Sequence, residues 1–554
     1  MKQVLRGLFY FSLLTAATSA LACDSSGCDD LGSGDSSRNC CLENYNQNVY
    51  GNIYGMTNFN THPVQWDAFR RMAGVSTERL HLFNQEAFYG TVSLALQYQQ
   101  TSESNHLSQW FLFNDNNKNT MSYGANDDDT GAAFGSDINS YNFGVTSSGD
   151  VTFKPRIKNF IADIDLFTGW DQFVCGLWSR ISIPINWTSW NMNLCDSNET
   201  AGAATFPEYL VTTDGSTPDV PYANLKQAWV GDKTFGLAPV MKYGKINGAQ
   251  DTTQVAGLKL ELGYDFIRKE DRHLAASFLV VAPTGNRSTA EYLFEPISGS
   301  NKQWEIGIDL NAHYNFWERE ECNKSLGIHF DVALMGMTRS TQKRLFGLQA
   351  GGQTSAGGAQ PYVISPSCAT GAGASWLLLK EVNPDTGVFV TLQRASNILA
   401  LDAKIGASFE TNLGLMLKYV YNHFSTDFGY ELYYRNAEKI SDRTPIAANY
   451  GIMGGVKLEA TINNTASTST IAINGEMNDD IVYITDANVC ECTALHPAYS
   501  SSKLFSFYQY SWDNCDWSPT LGAGYSFEWS NKHAGIKNIA VAQWSALIKG
   551  SISF

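Results

Sequence analysis

Past its first two dozen residues the chain has no run of about 18 apolar residues, the length an α-helix needs to cross a bilayer. Charge is also sparse: Asp, Glu, Lys and Arg together make up 17%, low for a soluble protein of 554 residues. Basic residues are the scarcer kind, 38 against 54 acidic for a net charge of −16, and no basic stripe offers a nucleic-acid footprint. Histidine is rare, at 9 residues, and no HExxH, GxSxG or phosphate-binding glycine loop occurs. No catalytic function and no cofactor are therefore expected. The 11 cysteines form no two CxxC pairs with histidines at ligand spacing, which argues against structural zinc. Their clusters, Cys23 to Cys41 and Cys490 to Cys515, read better as disulfide chemistry of an oxidising compartment, with the connectivity open.

What the chain does have is 13% aromatic residues, 47 glycines and an export signal. Lys2 and Arg6 precede an apolar stretch from Gly7 to Ala17, and Ala20-Leu21-Ala22 places small residues at −3 and −1 of a cleavage site. Residues 1–22 are expected to be a signal peptide, leaving Cys23 at the mature N-terminus. A polar leader, 23–86, follows. One short helix is predicted near Val64–Ala73, carrying Trp66, Phe69 and Met72. That leader suits a lumenal plug, a periplasmic cover or an unstructured tail, and its composition does not choose among them.

From residue 87 to 554 the chain repeatedly alternates with period two over about ten residues, the length of a tilted membrane strand. In 303–317, QWEIGIDLNAHYNFW, Trp304, Ile306, Ile308, Leu310, Tyr314 and Phe316 fall on one face. Glu305, Asp309, Asn311, His313 and Asn315 fall on the other. Similar runs start near residues 92, 258, 326, 399, 413 and 521. The apolar faces carry no charge, the opposite faces are rich in charge and glycine, and aromatics gather at the ends of the apolar faces. Lipid outside and water inside would demand that distribution, whereas a sandwich core would not accept it. The final stretch puts Trp544, Ala546, Ile548, Gly550 and Ile552 on one face with Phe554. This resembles the terminal strand signature of outer-membrane barrels, in which the last Phe is read by the assembly machinery.

The expected fold is an all-β transmembrane antiparallel barrel of about 16 strands (14–18), with short periplasmic turns and long external loops. Among the expected strands are 107–113, 139–145, 398–409 and 450–459. Tight turns are expected at Arg268–His273, Trp317–Ser325 and Glu410–Asn412, and long loops at 283–302, 338–397 and 460–502. With the last strand running toward the periplasm, all these turns fall on the periplasmic side and the loops outside.

On these features the chain resembles bacterial outer-membrane porins, both the general porins and the major outer-membrane proteins of intracellular bacteria. The likeness is architectural and transfers no individual functional residue. It implies a bacterial outer-membrane location and passive diffusion of small hydrophilic solutes. It further implies that 188–255 is a candidate constriction loop, that the partners are membrane lipid and the assembly machinery that reads Ile552 and Phe554, and that the pore is a homotrimer or a monomer. The face assignment makes Asp163, Asp165, Arg180, Lys259, Glu261, Asp265, Glu305 and Asp309 pore-lining. His313, His329, Asp331, Asp402, Lys404, Lys418 and Glu528 join them. Their acidic excess predicts mild cation preference unless the charges pair across strands. His313 and His329 should face each other near Asn311 and Asp331, as plain wall residues or as a metal or pH-sensing pair. The competing function is an adhesin or structural surface barrel whose long loops bind a host or matrix partner.

Overall fold

The structure is a computed structural model. It describes residues 55–554 apart from 76, 79, 82–87, 112–118, 126–135, 207–210, 213–215, 270, 320–322, 349–371, 386–388, 453–482, 513–516 and 534–535. The signal peptide and residues 23–54 of the leader lie outside the described residues.

Alternating sequence becomes alternating exposure. In Leu258–Lys269, Leu260, Leu262, Tyr264 and Phe266 are turned outward, while Lys259, Glu261 and Asp265 between them are buried. Twelve strands of this kind close into an antiparallel ring. They are β1 (Tyr89–Thr101), β2 (Arg156–Gly169), β3 (Leu177–Asn191), β4 (Leu258–Lys269), β5 (Arg272–Ala282) and β6 (Glu305–Arg319). The second half is β7 (Lys324–Met337), β8 (Phe409–Tyr421), β9 (Phe424–Arg435), β10 (Tyr499–Ser511), β11 (Ser518–Ser530) and β12 (Gln543–Ser553). β12 pairs with β1, with Ile552 opposite Val92, and so closes the ring. A thirteenth strand, Ala249–Val255, lies outside the ring and pairs with the second half of β3, in line with β4. At Pro184, β3 changes partner: Ser182 is the last residue paired with β4 and Ile185 the first paired with Ala249–Val255. A residue without an N–H fits that break in the ladder.

The barrel therefore has twelve strands rather than about 16, and four expected strands account for the difference. Residues 107–113 begin inside a helix, Ser104–Phe111, where Leu107, Trp110 and Phe111 recur at helical rather than strand spacing. Residues 139–145 hold the last residue of a two-residue strand, Ile138–Asn139, and a 3-10 turn, Ser140–Phe143. Residues 398–409 span a short helix and the strand Ala400–Gly406, which belongs to a separate three-stranded sheet. Only Tyr450–Ile452 of the 450–459 run is described, and it joins a separate four-stranded sheet. Small sheets buried on one face alternate just as a barrel wall does, so period two could not separate them.

The tight connections at 269–272, 319–324 and 421–424 lie at one end of the barrel, together with 169–177 and 511–518. The turn expected at Glu410–Asn412 is corrected to 422–423, where Asn422 adopts φ 53°. The long connections leave from the other end, and their described residues form a cap. Its core brings Phe143 and Phe153 within 5.1 and 5.6 Å of Trp229, which also meets Trp376 at 5.8 Å. The long segment 188–255 contributes Leu225, Ala228 and Trp229 to this cap core. Among the described residues no helix is long and apolar enough to cross a membrane. The outer wall is nonetheless apolar, with Leu262, Phe266, Phe278, Phe527 and Ile548 all more than half exposed.

Candidate functional site

The leader segment 55–81 runs through the barrel from the cap end to the turn end. Its sequence explains the fit. Asp67 caps α1 (Ala68–Met72) by accepting from the Phe69 N–H at 3.0 Å, and one turn of helix then presents both apolar and cationic side chains to the wall. Phe69 packs 5.1 Å from Phe505, ring centre to ring centre. A Cβ added at Gly414 would stand 2.4 Å from the Met72 sulfur, so β8 leaves room for that side chain by having none of its own. Gly74 ends the helical segment at φ +80°, a left-handed conformation that glycine adopts without cost, and its N–H donates to Asp427 at 2.8 Å.

Hydrogen bonds and ion pairs tie the segment to the wall and the cap along its length. At the cap end Asn60 donates to Glu438 at 2.8 Å, and His62 lies 3.1 Å from Glu528 and 3.8 Å from Glu431, stacked on Tyr433. Gln65 and Trp66 donate to the two oxygens of Glu305 at 2.9 and 2.7 Å. At mid-height Asp67 meets Lys503 at 3.0 Å, and Arg70 meets Asp163 at 3.2 Å. Arg71 reaches three carboxylates, Asp309 at 2.6 Å and Glu261 and Asp331 at 3.3 Å each. Nearer the turn end Glu78 pairs with Lys549 at 3.0 Å, and His81 pairs with Asp265 at 2.9 Å.

Most residues expected to line a pore do face inward. Arg180 pairs with Asp165 at 2.8 Å, Lys259 with Glu261 at 3.1 Å, and Lys418 is buried on β8. The exceptions are Asp402 and Lys404. Both are exposed on the cap strand Ala400–Gly406, where Asp402 pairs with Lys343 at 3.2 Å, and neither lines the barrel. Ile552 and Phe554 are exposed on the outer wall.

His313 and His329 are direct cross-strand partners, and so are Asn311 and Asp331. Two further imidazoles extend the pair: His273 on β5 stands opposite His313, and His81 of the inserted segment stacks on His273 at 4.3 Å. The four rings form a continuous stack near the turn end, with the remaining centroid spacings 4.4 and 5.3 Å. No group of three or more His, Cys, Asp or Glu among the described residues has a geometry that could hold a metal ion.

No family model matches the sequence, and no curated protein matches it significantly. Solved structures similar in fold are outer-membrane barrels. An outer-membrane channel from Pseudomonas putida F1 aligns at 10% identity and TM-score 0.34 over 85% of this chain and 97% of that one. A Pseudomonas aeruginosa FadL homologue aligns at 9% and 0.27 over 90% and 99%. The translocator domain of the autotransporter NalP from Neisseria meningitidis aligns at 6% and 0.28 over 88% and 95%.

Among the described residues little space is left inside the lumen. A cavity of about 20 Å³ remains beside Arg70, Arg71, Asp163, Asp165 and Arg180, room for a water molecule or two. Sequence reasoning missed His62, Asp67, Arg70 and Arg71 as site residues, along with Lys503 and His273 on the wall. The available signal was Arg70-Arg71 in an otherwise apolar helical turn, together with an acidic wall that lacked enough basic partners.

Proposed function

We propose that this chain is a bacterial outer-membrane channel for small hydrophilic solutes, closed by its own segment 55–81. The carrying observation is the chemistry of the contact between segment and wall. A purely structural filling could pack apolar side chains against an apolar lumen. Here Arg71, Arg70, Asp67 and His62 meet a wall of charged groups, and water and ions can take over such contacts when the segment leaves. With the segment displaced, Asp163, Glu261, Asp309 and Asp331 lose their arginine partners, and the acidic excess of the wall favours cations over anions. The apolar outer wall supplies the lipid-facing surface such a channel needs.

Planar-bilayer recording of the full chain beside a variant whose residues 62–74 are replaced by a Gly/Ser linker tests this reading. The full chain should be closed most of the time, and the variant should show steady cation-preferring steps. Silence from a correctly folded variant would defeat it. The cap, with its continuous apolar core, favours a second reading, a surface barrel that presents its folded loops to a partner. That reading predicts silence from both proteins.

A further inference from the structure

Among the described residues, two buried cations of the cap have no counter-ion. The hairpin of Leu378–Val382 and Phe389–Arg394 pairs Leu378 with Arg394 and Lys380 with Leu392, so all four side chains share one face. All four are buried, Arg394 to 1% exposure and Lys380 to 6%. The Arg394 Nε donates to the Pro239 carbonyl at 2.7 Å, and its guanidinium lies 5.0 Å over the Phe235 ring. Among the described residues its Nη2 has no partner, and neither cation forms an ion pair with a carboxylate. Glu381, the nearest acid in sequence, is on the opposite face and accepts from Gln393. Asp232 is engaged by the Tyr222 hydroxyl at 3.1 Å.

Buried cations are ordinarily paired, because removing them from water costs several kcal/mol that only a nearby anion returns. Arg344 in the same cap obeys that rule, with Glu438 at 3.2 Å. Burial pushes the Lys380 amine down to about 8, which fits an ammonium with nothing to hold it charged. Guanidinium does not escape by losing its proton. Its unused N–H groups, and an amine two residues along the same face, are the donors an oxyanion takes.

We infer that the Lys380 and Arg394 face of the cap binds a small oxyanion, a phosphate, sulfate or carboxylate group. The site is separate from the lumen, so it stands or falls independently of the channel reading. Full-length protein in detergent is titrated by calorimetry with sodium phosphate, sulfate and acetate, chloride holding the ionic strength constant. One of the three should bind saturably. Lys380→Gln and Arg394→Gln should each weaken that binding by about tenfold or more, while Lys343→Gln, elsewhere in the cap, should leave it unchanged. Lack of saturable binding, or binding that neither substitution alters, overturns the assignment. Acylation of Lys380 in unmodified protein, followed by peptide mass spectrometry, is a check that does not depend on the variants folding. The bound anion should slow it, and an unchanged rate counts against the site.

Discussion

Arg71 is the side chain on which the inserted segment depends most. It is shared by three carboxylates that crowd one side of the lumen, and all four groups are largely shielded from water. Arg71→Ala leaves buried negative charge uncompensated, and breaking such a cluster costs about 3–5 kcal/mol. The expected result is a lower thermal midpoint by circular dichroism and more frequent opening in bilayers. Arg71→Lys, a point charge without the planar fork, should fall between the two. Asp402 supplies the contrast. It is exposed on the cap, so Asp402→Asn should leave the reversal potential of the segment-replaced variant unchanged, whereas Glu261→Gln, on the wall, should reduce its cation preference.

Among elements, the junction between segment and cap is built to loosen in acid. Glu438 accepts from Asn60, from the backbone N–H of His496 and from Arg344. Burial raises its pKa, but the Arg344 guanidinium and its other partners outweigh that and hold it below the usual carboxylate value. Burial pushes His496 down to about 4. A neutral histidine that must charge contributes stability above pH 6.5, lost as pH falls toward 4. The depressed carboxylate contributes stability above about 4.5, lost as pH falls further. Both effects have the same sign. Thermal midpoints of the full chain should decline from pH 6.5 to 4 and keep declining below, and His496→Gln should flatten the first part of that slope. A second prediction concerns the fit of α1 against β8. Gly414→Val puts branched carbons where the Met72 sulfur sits, and Gly74→Ala forces a side chain into φ +80° against Gln509. Each should make the segment more susceptible to protease than it is in the parent.

For the molecule as a whole, strand number determines the width of any opened path. A twelve-stranded ring lies between eight-stranded barrels, filled by their own side chains, and the 16- to 18-stranded porins with an aqueous channel. The segment-replaced variant should therefore exclude sugars in a graded series at smaller sizes than a 16-stranded porin does. The four spurious strands occur as two pairs, 107–113 with 139–145 and 398–409 with 450–459. Adding strands in pairs preserves the direction of every strand outside the pair. Turn parity therefore came out consistent for most of the barrel while β8 and β9 were reversed, and parity cannot detect an error of that kind.

Much of the barrel was determined by sequence alone, because a wall between lipid and a polar interior imposes its two environments on alternate residues. The outward set from Val92 to Ile552, the inward placement of Glu261, Asp309 and Glu528, and the facing of His313 and His329 all follow from a period of two. Where the same period serves a small sheet in the cap, it says nothing about which sheet a strand joins, and Asp402 and Lys404 were misplaced for that reason. Tertiary structure alone decided that 55–81 occupies the lumen. Arg71 lies far along the chain from Glu261, Asp309 and Asp331, and no local pattern encodes their meeting. It arises because a ring of strands with excess negative charge encloses a volume that a segment carrying Arg70 and Arg71 can fill.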